Sequence, residues 1–280
     1  MANQEQLEIL KSGVENWNKW REKNPGILVD LRETNLSGAN LTKADLSGAD
    51  LTKADLRGSN FSGAKLNNAN LRLADLSGAD LSKAELWYAN LRETNLTRAD
   101  LSSTMLIYTT LIDTNLRQAD LRQAFLMYAI ISGTNLKGIK LEGAKFGQTA
   151  FVNLDLSEIK GLESCEHYGI SYIDHLTLEK SDSLPIDFLR GCGLPDTYIK
   201  YLPSLFEQAI QYYSCFISYS GKDEAFANRL YSDLQNSGIR CWFAPEHLKI
   251  GAKTRPAIHD AIVVHDKLLL VLSNDSINSD

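Results

Sequence analysis

The sequence predicts a mainly β chain in two parts: a solenoid built on a five-residue period, then a short α/β segment. Three observations carry this. From Leu31 to Leu156 every fifth residue is large and apolar, 26 positions in all, and each is Leu except Phe61, Ile131, Phe146 and Phe151. Two residues before most of them sits a small residue, as at Ala39, Ala44, Ala49, Ala54, Ala84 and Thr94. After Ser214 the five-period is gone, and short apolar runs alternate with helical spacing. A period of five fits neither a helix at about 3.6 nor a flat strand at about 2. It does fit a chain that turns one corner per unit, points the Leu and the small residue inward, and stacks each coil on the next.

Composition narrows the function classes. The chain has 280 residues, 44% of them apolar, and 29 basic against 35 acidic residues give a net charge of -6. A general nucleic-acid binder is expected to be basic, so none is expected here. No run of 18 apolar residues occurs, so no membrane span is expected. Met1 to Glu5 has neither a basic lead nor an apolar stretch, unlike a secretory signal. Cys165, Cys192, Cys215 and Cys241 lie far apart, which argues against a disulfide framework and a structural zinc site. The expected setting is the reducing cytoplasm, with no metal.

Residues 1–30 are expected to cap the solenoid. Leu7, Leu10, Val14 and Trp17 follow helical spacing over residues 3–23, and Asn24-Pro25-Gly26 stops the helix. Exposed coil ends need such cover.

Residues 31–158 resemble the pentapeptide-repeat family, as in Ala49-Asp50-Leu51-Thr52-Lys53 and Ala54-Asp55-Leu56-Arg57-Gly58. The resemblance implies a right-handed quadrilateral β-helix with four units per coil. Some family members mimic DNA with an acidic exterior. Here 14 basic and 14 acidic residues cancel over 31–158, and a DNA mimic needs a strong negative field.

With four units per coil, residues 20 apart share a column. Three columns of outward residues are mostly polar. The fourth runs Trp87-Tyr88, Ile107-Tyr108, Met127-Tyr128, with Met105 and Phe125 beside it. Eight such side chains in register mark a contact surface. The expected occupant is either the connector that follows or a second subunit, so a homo-oligomer is one outcome.

That connector spans 159–213, with 4 basic and 8 acidic residues. Leu-Pro recurs at 184–185, 194–195 and 202–203, which predicts three short helices, the first closed by Gly191 and Gly193. A further strand is expected within Ile170 to Leu178. Cys192 reads as a small buried residue. His167 and His175 have no third ligand, so they are not expected to hold a metal.

From 214 to 280 the reading is a strand at Cys215–Tyr219, a helix with Phe226, Leu230 and Leu234 on one face, a strand at Arg240–Ala244, a loop, a helix near 255–265 and a strand at Leu268–Leu272. Alternation of this kind implies a parallel doubly wound sheet. The motifs Phe216-Ile217-Ser218-Tyr219-Ser220, Gly238-Ile239-Arg240-Cys241-Trp242, Pro245-Glu246 to Gly251 and Lys267 to Ser273 are similar to a Toll/interleukin-1 receptor (TIR) domain of bacterial type. The resemblance covers the first half of that flavodoxin-like domain and implies strands in the order 2-1-3.

Some TIR domains cleave NAD; others assemble with partner TIR domains. By resemblance, Ser218, Tyr219, Phe243, Pro245, Lys249 and Gly251 would line the NAD pocket. The family's catalytic glutamate lies on the helix after the third strand, past Asp280 in this numbering, so no catalytic residue is expected within 1–280. The resulting expectation is a signalling or effector protein on a pentapeptide scaffold, whose complete TIR domain would cleave NAD. The alternative is a non-enzymatic adaptor that assembles through TIR–TIR and solenoid contacts. Neither nucleic acid nor membrane is an expected partner.

Overall fold

The structure, a computed structural model, describes residues 2–206, 214–218, 223–236, 240–243 and 267–270. The chain forms two compact units, 1–199 and 200–280.

The first unit opens with α1 (Gln4–Lys11) and α2 (Val14–Lys23). The single helix expected over 3–23 is broken, because Gly13 adopts a φ of 120° that a helix cannot contain. Both helices bond to the first coil. The Gln6 amide donates to the Leu28 carbonyl at 2.9 Å and accepts from Asp30 N–H at 2.8 Å. Trp17, fully buried, donates from Nε1 to the Asp45 carbonyl at 2.8 Å. Arg21 reaches the Ser47 carbonyl at 2.9 Å. These partners satisfy backbone groups that have no coil above them.

The five-residue unit has one local rule. The core Leu points in, and two residues later the backbone enters the left-handed region, as at Lys53 (φ 58°) and Gly58 (φ 62°). The small residue then turns inward and its N–H returns to the core residue's carbonyl, as from Ala54 to Leu51 at 3.0 Å. The last residue bridges the next coil in parallel, exactly 20 residues on: Asp30 to Asp50, Asn35 to Asp55, Asn40 to Asn60, Asp45 to Lys65. Four bridge columns result, so four units make a coil. Inward Thr residues satisfy their hydroxyls on the backbone: Thr94 donates to Leu71, Thr104 to Leu81 and Thr114 to Leu91, at 2.7–2.8 Å. A buried Thr is therefore as acceptable as Ala.

Where side chains permit, the bridges lengthen into strands: β1 (Thr110–Ile112), β2 (Ile130–Ser132), β3 (Lys145–Phe146) and β4 (Ala150–Val152). Coil pairing does not stop at 158. Two further strands, β5 (Glu166–His167) and β6 (Tyr172–Ile173), pair in parallel with β3 and β4, matching Lys145 to Glu166 and Ala150 to Tyr172. The spacing has grown from 20 to 21 and 22 residues, which hides this coil from a strict five-period.

The strand expected within 170–178 is only β6, since Asp174 caps a helix by accepting from Thr177 N–H at 2.9 Å. That helix is α3 (His175–Lys180); α4 (Ile186–Gly191) and α5 (Asp196–Phe206) follow. Pro185 and Pro195 precede helices as expected, but Leu202-Pro203 falls inside α5 and starts none. Phe188 of α4 closes the core edge-on against Phe146 and Phe151, at ring separations of 6.4 and 5.3 Å.

The second unit contains β7 (Ser214–Ser218), α6 (Glu224–Asn236), β8 (Arg240–Phe243) and β9 (Lys267–Leu270). The strands form a parallel sheet in the order β8-β7-β9. The predicted apolar face of α6 is shifted. Phe226 is 52% exposed, whereas Ala227 is fully buried and Leu230, Tyr231 and Leu234 are half-buried. A face at 227, 230, 231 and 234 keeps helical spacing without Phe226. The expected helix at 255–265 lies outside the described residues.

Candidate functional site

Two places gather the residues singled out by sequence. The first is the C-terminal edge of the parallel sheet. Ser218 ends β7 and Phe243 ends β8; Ile217 pairs with Phe243, and Ser218 with Leu270 of β9. Parallel strands bring all three ends to one edge, where ligands of open α/β sheets bind. Tyr219, Pro245, Lys249 and Gly251 lie outside the described residues.

The second is the aromatic column. All eight expected residues fall on one side of the coils. Tyr88, Tyr108 and Tyr128 each take the left-handed corner, with φ near 60°, a conformation that costs a bulky residue roughly 1–2 kcal/mol. Their rings stack, 4.7 Å apart between Tyr88 and Tyr108 and 4.3 Å between Tyr108 and Tyr128, within 9° of parallel. Each stacked pair contributes about 0.5–1.5 kcal/mol, which offsets much of that cost. Partial desolvation by the flanking rings, and then their charge, raise the Tyr108 phenol above its ordinary range. Beside the ladder, Trp87 Nε1 donates to Met105 Sδ at 3.4 Å, and Lys145 Nζ lies 4.4 Å from the Phe125 ring centre.

Residues 159–199 of the connector do not cover this face. With residues 159–199 in place, Trp87 remains 42% and Tyr88 55% exposed. The apolar surface also extends further than the sequence indicated. Ile130, Tyr168, Ile170 and Tyr172 are exposed as well, and pairing runs from Ile130 through Ala150 to Tyr172. The altered spacing in the last coil masked the later three. A search by strand pairing rather than by fixed period would have found them.

Two other groups are settled by burial. Cys192 is 5% exposed and its thiol is pushed up to about 12 by desolvation, which leaves it unreactive near neutrality. His167 sits between Phe146 and Phe188, its two ring nitrogens shielded from solvent without a hydrogen bond of normal geometry. Desolvation lowers its pKa, against a smaller opposing effect of the Gly191 backbone.

Comparisons with known proteins match both parts of the chain. A family model of pentapeptide repeats matches residues 29–58, 54–86, 84–123 and 109–148, and one of the TIR domain matches 215–280. Among solved structures, a pentapeptide repeat protein (Rfr23) from the cyanobacterium Cyanothece 51142 is 28% identical over 49% of this chain and 98% of its own, with a TM-score of 0.30. One from Nostoc Pcc 7120 is 34% identical over 44% of this chain and 79% of its own, with a TM-score of 0.19. QnrB1, a plasmid-mediated fluoroquinolone resistance protein, is 19% identical over 65% and 95%, with a TM-score of 0.35. Among curated proteins no match is found. The chain thus joins a β-helical solenoid of pentapeptide repeats to a TIR-domain segment.

Proposed function

We propose that this chain is a cytoplasmic signalling protein whose right-handed solenoid is a rigid scaffold, capped by α1 and α2, and whose flavodoxin-like TIR segment supplies the output by docking with other TIR domains. The parallel sheet in the order β8-β7-β9, within the region matched by the TIR model, is the observation that supports this best. Residues 31–158 have no net charge, which suits a spacer better than an electrostatic decoy.

A second reading is that the complete domain cleaves NAD. The meeting of Ser218 and Phe243 at one strand edge favours it. Loss of nicotinamide builds positive charge on the ribose, and a negative group set in the pocket must stabilise it. Within 1–280 no glutamate follows β9.

The test is titration of the 280-residue protein with a purified complete bacterial-type TIR domain, with NAD present. Saturable binding is expected, with no nicotinamide released by the 280-residue protein alone above the buffer rate. Lack of binding would remove the docking reading. Nicotinamide release that co-purifies with the chain would replace it with the enzymatic one.

A further inference from the structure

The ladder column beside the stacked tyrosines has an order that the fold does not require. Below Asp45, whose backbone α2 caps, it reads Lys65, Glu85, Met105, Phe125, Lys145, Glu166, each bridged in parallel to the next. Written backwards it becomes Glu166, Lys145, Phe125, Met105, Glu85, Lys65. Laid against itself in reverse, every lysine meets a glutamate and each central apolar residue meets the other. The adjacent column behaves alike. Trp87, its bulkiest side chain, falls opposite Gly147, which has none, and Ile107 falls opposite Met127.

We propose that this face is the contact of an antiparallel homodimer. Its two-fold axis crosses the solenoid between the coils of Met105 and Phe125. The two copies lie side by side with their coil axes reversed.

Four observations support a second copy over another occupant. First, Trp87, Tyr88, Tyr108, Tyr128 and Ile130 are exposed with residues 159–199 in place. Second, the charges bordering them are not engaged in internal ion pairs, Lys145 resting against the Phe125 ring. Among the described residues none of Lys65, Glu85, Lys145 or Glu166 forms an ion pair. Glu85 accepts only from the Asn67 amide at 3.0 Å, and Glu166 from the Tyr168 hydroxyl at 2.8 Å. Third, reversal symmetry in charge and in bulk is what an isologous contact needs, since one surface must complement itself. An unrelated partner imposes no such order. Fourth, the reversed direction is selected over the parallel one. An axis running along this column would set Lys65 against Lys65 and Glu85 against Glu85, and like charges in contact are costly.

The size of the face sets the strength. Five coil spacings of about 4.8 Å make it roughly 24 Å tall. At about 3.3 Å per residue a five-residue side is roughly 16 Å wide, so the flat face is roughly 400 Å², below the ~800 Å² per partner of a standard interface, and the dimer is reversible.

The experiment is sedimentation velocity of the full 280-residue chain across about three decades of concentration around 1 µM. The mass is expected to rise from 31.2 kDa toward twice that value. Tyr108→Glu at the centre should weaken dimerisation by at least about tenfold. Glu85→Lys, at a half-buried position beside the ladder, should weaken it by about tenfold, and adding Lys145→Glu should restore it to within about threefold. Arg57→Glu on another side should change nothing. Circular dichroism of each variant establishes that the coils are intact. A wild type that stays monomeric overturns the proposal. So does association indifferent to Tyr108→Glu and to charge reversal, which would assign it to another surface. Failure of the double reversal to recover dimerisation overturns the antiparallel arrangement.

Discussion

The regular coils and the last coil solve the same problem by different means. From 31 to 158 one rule is repeated: core Leu, left-handed corner, small inward residue, bridge. Each coil is satisfied by neighbours like itself. Between 159 and 199 the ladder continues, but its support is particular to each residue. Asp174 caps α3, Thr177 Oγ1 accepts from Leu154 N–H at 3.1 Å, and Phe188 plugs the core. Damage in the regular part should therefore spread through the stack, whereas damage in the last coil should stay local.

The largest expected effect is in the regular part. Leu106 is fully buried in the middle of the stack. Leu106→Ala leaves a cavity bounded by coils that cannot collapse independently, and should cost about 2–5 kcal/mol. Urea unfolding followed by circular dichroism should show one cooperative transition at lower midpoint. Two separated transitions would mean that the coils above and below the cavity are energetically uncoupled.

The last coil offers a sharper, smaller test. A Cβ on Gly191 would lie 2.3 Å from the His167 ring, so α4 approaches the coil only because that residue has no side chain. Gly191→Ala should cost about 1–3 kcal/mol through overpacking, and it should expose α4 to proteolysis before the regular coils. Protection of α4 equal to that of wild type would show that the imidazole moves aside freely.

The smallest effect is a pH dependence. His167 is held below its ordinary pKa by desolvation. Its neutral form is favoured in the folded protein, so this contribution is fully present above about pH 6.5 and is lost as pH falls below it. The melting temperature should drop between pH 7.5 and pH 5.5, and His167→Phe should flatten that drop. An unchanged slope in His167→Phe would assign the dependence to other groups.

The same contrast explains what could be seen in the sequence. Leu at every fifth position and Ala or Thr two before it follow from the coil geometry, so those residues announced the solenoid. The tyrosine column was legible for the same reason: the coil repeats at 20, and so do Tyr88, Tyr108 and Tyr128. Tyr168, Ile170 and Tyr172 escaped because the last coil is longer by one or two residues, and periodicity has no tolerance for that. Gly13 was hidden because its neighbours alone keep helical spacing. Phe226 misled for the opposite reason, since a large apolar residue at helical spacing reads as core even when Ala227 takes the buried place. At the sheet edge, Ser218 and Phe243 were singled out through motif resemblance alone, and the strand register sets them at neighbouring strand ends.

Four units per coil also make chain length a rotational coordinate. Five residues inserted between Tyr88 and Tyr108 would leave every Leu inside and every bridge formed, yet turn all later coils by a quarter turn. The tyrosines would then divide between two adjacent sides of the column. Twenty inserted residues would restore their alignment and add one storey between them. Such a protein can lose its interacting face while keeping its core and its ladder, through a change that conservation of core residues would never reveal. Among changes by whole five-residue units, growth and shrinkage by complete coils keep both the column and its face.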